Sequence, residues 1–138
     1  MNKRNLRLEK YGISKHRYME LVGFCRQYPE WKQALQEITY IRGKEHYASP
    51  KPTNYNVGDP VGNSVIRKTI LEAKIKLIED AAKETDKDLY EYIIKGVCYN
   101  VPITYLEMIE GMPCGKSAYF EKRRYFFYLL DKSKNADF

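Results

Sequence analysis

Apolar residues return every three or four positions along most of this chain, the spacing that gives a helix one buried face. Tyr18, Leu21, Val22 and Cys25 share such a face behind Ser14, a natural N-cap. Trp31, Leu35, Ile38 and Ile41 form the next stripe. Pro29 suits its first turn and Gly43 suits its end. Further on, Ile66, Ile70, Ala73, Leu77 and Ala81 predict the buried face of a third helix, capped by Asn63 or Ser64. Lys68, Glu72, Lys76, Glu79 and Lys83 should point outward, with Glu72–Lys76 and Glu79–Lys83 as i,i+4 pairs. Leu89, Tyr92, Ile93 and Val97 predict a fourth helix, ended by Tyr99-Asn100-Val101-Pro102. No stretch alternates as a strand would, so the expected class is all-α.

Two features divide this pattern. Residues 43–63 hold three of the six prolines and three of the eight glycines, which resists helix and strand alike. The expected organisation is a basic arm and helical hairpin over 1–42, a Pro/Gly-rich linker over 43–63, and a helical domain over 64–138. The second feature is Ile103 to Leu130. It reads as a short helix over about 102–109, a turn at Glu110-Gly111-Met112-Pro113-Cys114, and a longer helix from Gly115 or Lys116 to about Asp131. Gly111 can take the positive φ that often follows a helix, and Pro113 forbids continuation. Met112 and Cys114 should plug the space between the helices.

That arrangement predicts a helix-turn-helix over about 88–131. In its last helix Tyr119, Phe126 and Leu130 share one face and should pack inward. Lys116, Ser117, Phe120 and Glu121 then sit around the leading end, where such a helix meets base edges. Lys and Ser can read guanine and other edges, Phe120 suits a thymine methyl, and Glu121 repels phosphate unless it accepts from cytosine N4. Lys122, Arg123, Arg124 and Tyr125 follow one turn later, where phosphates would pass. The charge agrees in part. The chain is +6 overall, and residues 1–51 hold eleven Lys/Arg against five acids. Lys3, Arg4 and Arg7 in the arm are further candidates for the DNA backbone.

The remaining chemistry is sparse. Cys25, Cys98 and Cys114 stand far apart, and His16 and His46 are isolated, so no metal or cofactor is expected. The spread cysteines suit small buried hydrophobes in a reducing compartment. Gly111 to Ser117 superficially resembles a phosphate loop, but three residues rather than four separate its glycines and no strand precedes it. No Ser/His/Asp set is evident, so an enzyme is not expected. The charged N-terminus lacks a signal peptide's apolar run and no stretch is long enough to span a bilayer, so a cytoplasmic location is expected.

Short motifs also carry a resemblance. They are Asp59-Pro60-Val61-Gly62-Asn63, Ile66-Arg67-Lys68, Leu77-Ile78-Glu79, Met112-Pro113-Cys114-Gly115-Lys116, and Tyr119-Phe120 with Arg123 to Phe127. Phe24 to Leu35 adds another. Together they resemble RinA/ArpU-type late transcriptional regulators of Firmicutes phages and prophages, and region 4 of sigma factors. The resemblance implies a C-terminal helix-turn-helix that binds double-stranded phage DNA and controls transcription. It implies Lys116 and Ser117 at the first recognition positions, and Arg123 and Arg124 as the basic pair. RNA polymerase or another protein is a second expected partner, and a homodimer would suit a palindromic site. Two alternatives stay open. One is a DNA-packaging accessory like a terminase small subunit. The other is a protein-interaction module acting on host machinery, with Trp31 and the tyrosines as its contact surface.

Overall fold

The computed structural model describes residues 8, 10–45 and 60–135, with side chains described for 8, 10–40 and 63–135. These residues form six principal helices and no strand, which establishes the all-α class. We number them α1 (Lys15–Arg26), α2 (Tyr28–Glu45), α3 (Pro60–Thr85), α4 (Tyr90–Cys98), α5 (Ile103–Met108) and α6 (Lys116–Asn135). A tight turn precedes α1 where the Leu8 carbonyl accepts from the Tyr11 and Ile13 amides. Ser14 caps α1 by accepting from the Arg17 amide at 3.2 Å.

The long helices α3 and α6 pack on one another and carry the centre of the fold. Helix α2 runs beside α3, and α1 closes over α4 and α6. One continuous core joins all of them, from Leu8 and Ile13 through Trp31 and Ile78 to Leu130. The N-terminal hairpin and the later helices thus bury their apolar faces against each other. Trp31 lies in this core at 7% exposure, edge-on to Phe24, with Lys74 over its ring. It is therefore not an exposed anchor for a partner.

Several boundaries differ from expectation. Helix α2 continues through Gly43 to Glu45, and α3 starts at Pro60. Asn63 and Ser64 thus lie inside α3 rather than capping it. Of the expected linker, 46–59 lie outside the described residues. Helix α4 starts only at Tyr90, after Leu89 of the expected stripe, because Asp86 folds the preceding turn. Its carboxylate accepts from the amides of Asp88 at 2.8 Å and Leu89 at 3.1 Å.

The largest correction concerns the phase of α3. Its buried side is Leu71, Ile75, Ile78, Ala82 and Thr85, and Ala81, the last residue of the expected stripe, is buried beside them. Of the stripe expected there, Ile66 and Ile70 are 60% and 50% exposed, and Ala73 is also exposed. At about 100° per residue, the two stripes are separated by roughly a third of a turn. Both have helical spacing, and tertiary contacts select between them.

Candidate nucleic-acid interface

Helices α4, α5 and α6 are joined by two tight connections. Asn100 adopts φ 56° between α4 and α5, and its side chain accepts from Arg26 Nη2 at 3.0 Å. Gly111 adopts φ 67° after α5, in agreement with the reading of the turn. The Met112 amide then donates to the Leu106 carbonyl at 2.9 Å, and Met112 is buried. Cys114 is half-buried beside it. Its thiol is pushed above the ordinary value by burial and by the nearby Asp86 and Glu107 carboxylates, which disfavours a reactive thiolate.

Helix α6 enters the core as its sequence predicts. Tyr119, Phe126 and Leu130 have at most 1% exposure, and Phe127, which that spacing does not include, is buried with them. Gly96 of α4 allows this approach: a Cβ built at Gly96 would stand 1.9 Å from the Tyr119 hydroxyl and 3.7 Å from Leu106. Gly96, Leu106 and Tyr119 therefore lock α4, α5 and α6 together. Beyond that lock, Lys116, Ser117, Ala118 and Glu121 are exposed at the leading end of α6. Phe120 is half-buried and lies edge-on to Tyr119 at 5.4 Å between ring centroids, which limits its reach toward a base.

The cluster expected to hold phosphates is divided by the geometry. Lys122 extends toward Asp86, with Nζ 3.4 Å from the carboxylate, yet its side chain remains 42% exposed. Arg123 is half-buried, with its guanidinium 5.9 Å from the centre of the Phe127 ring. Arg124 is only 7% exposed, and its place among the phosphate-holding side chains is withdrawn. The reason is angular: successive residues differ by about 100°, so where the outward face is narrow one member of a basic pair turns inward. Because α1, α3 and α4 all pack against α6, its buried face is wide. Tyr125 is exposed, but Tyr11 lies 6.5 Å from it and 5.2 Å from Tyr128. The N-terminal turn thus covers part of the trailing half of α6. Lys3, Arg4 and Arg7 lie outside the described residues.

Sequence reasoning missed two neighbours of this end. The first is Asp86, whose carboxylate is held below its ordinary value, chiefly by the Asp88 amide, with Leu89 and Lys122 adding to the effect. Together with Leu89, Gly111, Pro113, Cys114 and Lys122, it lines an open hollow of about 670 Å³. Its capping position before a short helix was the available signal. The second is the outer side of α5, where Tyr105, Met108 and Ile109 are exposed and present no cation. Among the described residues no His, Cys, Asp or Glu group is placed to hold a metal, and no helix is long and apolar enough to cross a membrane. The chain matches no protein-family model, curated protein or solved structure.

Proposed function

We propose that this chain is a DNA-binding protein that uses the leading end of α6, and that it acts as a transcriptional regulator of a phage or prophage. The observation that carries the reading is the exposed group Lys116, Ser117, Ala118 and Glu121, held in place by the buried Tyr119 between them. A helix start of this kind presents free amide donors and a positive dipole end to an anion. Lys116 and Ser117 add side chains suited to base edges and phosphate oxygens. The overall +6 charge favours encounter with a polyanion. The phage and transcriptional parts of the reading rest on the motif resemblance alone.

The geometry narrows the contact set from the one the sequence suggests. Lys116 and Ser117 read bases. Lys122 meets the backbone by exchanging its Asp86 partner for a phosphate. Glu121 disfavours phosphate and admits only a donor such as cytosine N4. Arg124 serves the fold.

Gel shifts of the purified protein against fragments of a phage genome test the proposal. One fragment should be retained far more tightly than the rest, with affinity falling steeply as salt rises. Lys116→Ala should weaken that complex by about 1–3 kcal/mol if Lys116 reads a base. Equal retention of every fragment, or indifference to Lys116→Ala, would refute the assignment of α6.

A further inference from the structure

Helix α3 carries two apolar stripes and the fold uses one of them. The unused stripe is Ile66, Ile70, Ala73 and Leu77, at steps of four, three and four, the spacing of a helix–helix seam. Val65 beside it is 42% exposed. The stripe fades into the core at its C-terminal end, where Leu77 is half-buried and Ala81 is buried. Three exposed branched aliphatic residues within six positions on one helix are costly to leave in water.

The flanks of the stripe show what kind of surface would cover it. Arg67 and Lys74 border one side, and Thr69, Lys76 and Lys83 border the other. Arg67, Lys76 and Lys83 are exposed, while Lys74 is half-buried over the Trp31 ring. Glu72 lies farther round the helix and is paired with Lys68 at 3.8 Å. Asp80 and Glu84, both exposed, are the acids nearest the stripe and lie at its far end alongside Lys83, leaving Arg67, Lys74 and Lys76 to flank its exposed part. Two copies of α3 meeting along the stripe would bring these cations together, Arg67 and Lys74 on their own copies when antiparallel, and Lys76 on Arg67 or Lys74 when parallel. We infer that the outward stripe of α3 is a docking surface for an amphipathic helix of another protein, apolar along its seam and acidic on both flanks. This surface is independent of the DNA-binding reading and uses none of its residues.

Two labelled synthetic helices of about 21 residues test the inference, both with the same Ile/Leu seam, one flanked by Glu and the other by Lys. Fluorescence anisotropy with the full chain should show the Glu-flanked peptide binding at least about tenfold more tightly, a difference of about 1.4 kcal/mol. Ile70→Glu should abolish that binding without changing the thermal melt, since Ile70 is half in water. Ile66→Ser provides a second variant for the same comparison. The double change Arg67→Glu, Lys76→Glu should reverse the preference toward the Lys-flanked peptide. The inference fails if neither peptide binds, if both bind alike, or if binding survives Ile70→Glu. It also fails if the protein alone forms dimers that Ile70→Glu dissolves, or if it binds anionic vesicles through Ile70, since a second copy or a lipid surface would then be the occupant.

Discussion

Helices α3 and α6 lie side by side but follow opposite plans. In α6 the apolar positions are almost entirely consumed: Tyr119, Phe126, Phe127 and Leu130 are fully enclosed, and even Arg124 is drawn in. In α3 the apolar positions exceed what the fold covers, and Ile66 and Ile70 remain outside. The contrast teaches that periodicity identifies a face that can be buried, while neighbouring helices decide whether it is. Helix α6 is packed against α1, α3 and α4. Helix α3 is packed against α2, α4 and α6, yet Ile66 and Ile70 stay 60% and 50% exposed.

The sharpest way to break this comparison is to truncate a side chain in the enclosed part of α6. Phe126→Ala should cost about 3–5 kcal/mol in a denaturant titration, because the space it leaves is fixed on all sides. A cost below about 1 kcal/mol would mean that α6 is far looser than described. Next in size is a matched pair within α3. Ile75→Ala should cost about 2–4 kcal/mol, whereas Ile70→Ala should stay within about 0.5 kcal/mol. Equal losses would show that the outward stripe is covered after all. Arg124→Ala should cost about 1–3 kcal/mol of stability through lost packing and a disrupted buried polar group. A variant that is fully stable but fails to bind DNA would return Arg124 to the phosphate-holding set.

Much of α6 was legible in the sequence. The Tyr119, Phe126 and Leu130 spacing, the Gly111 turn and the plug at Met112 all follow from local geometry, and each is found in place. The Ser14 cap was legible for the same reason. What could not be read was any choice between local answers of equal quality. In α3 the stripe at 66, 70, 73 and 77 and the stripe at 71, 75, 78 and 82 both have helical spacing, and the lysines and glutamates interleave with both. The basic pair Arg123 and Arg124 reads as one patch in the linear order, but helical rotation sends the two side chains different ways. Asp86 was invisible as a partner of Lys122 because 36 positions separate them. The exposure of Lys116, Ser117 and Glu121 at the start of α6 was therefore legible, and the burial of Arg124 one turn later was not.

Asp86 supplies the smallest expected effect. Its carboxyl titrates lower in the folded protein than in the unfolded chain, so its contribution is complete above the ordinary carboxylate value. That contribution disappears as the pH falls through the lowered folded value. The melting temperatures of the protein and of Asp86→Ala should differ at neutral pH and converge in acid. A gap that stays constant with pH would show that the side chain acts without its charge.

The contact between Gly96 and Tyr119 has a consequence for how these sequences can change. With only 1.9 Å between a would-be methyl carbon and the phenol oxygen, position 96 cannot grow while position 119 keeps its hydroxyl. The two sites, 23 residues apart in the chain, are sterically coupled. Gly96→Ala should therefore cost less in combination with Tyr119→Phe than alone, although a ring carbon at 3.2 Å still crowds the added methyl.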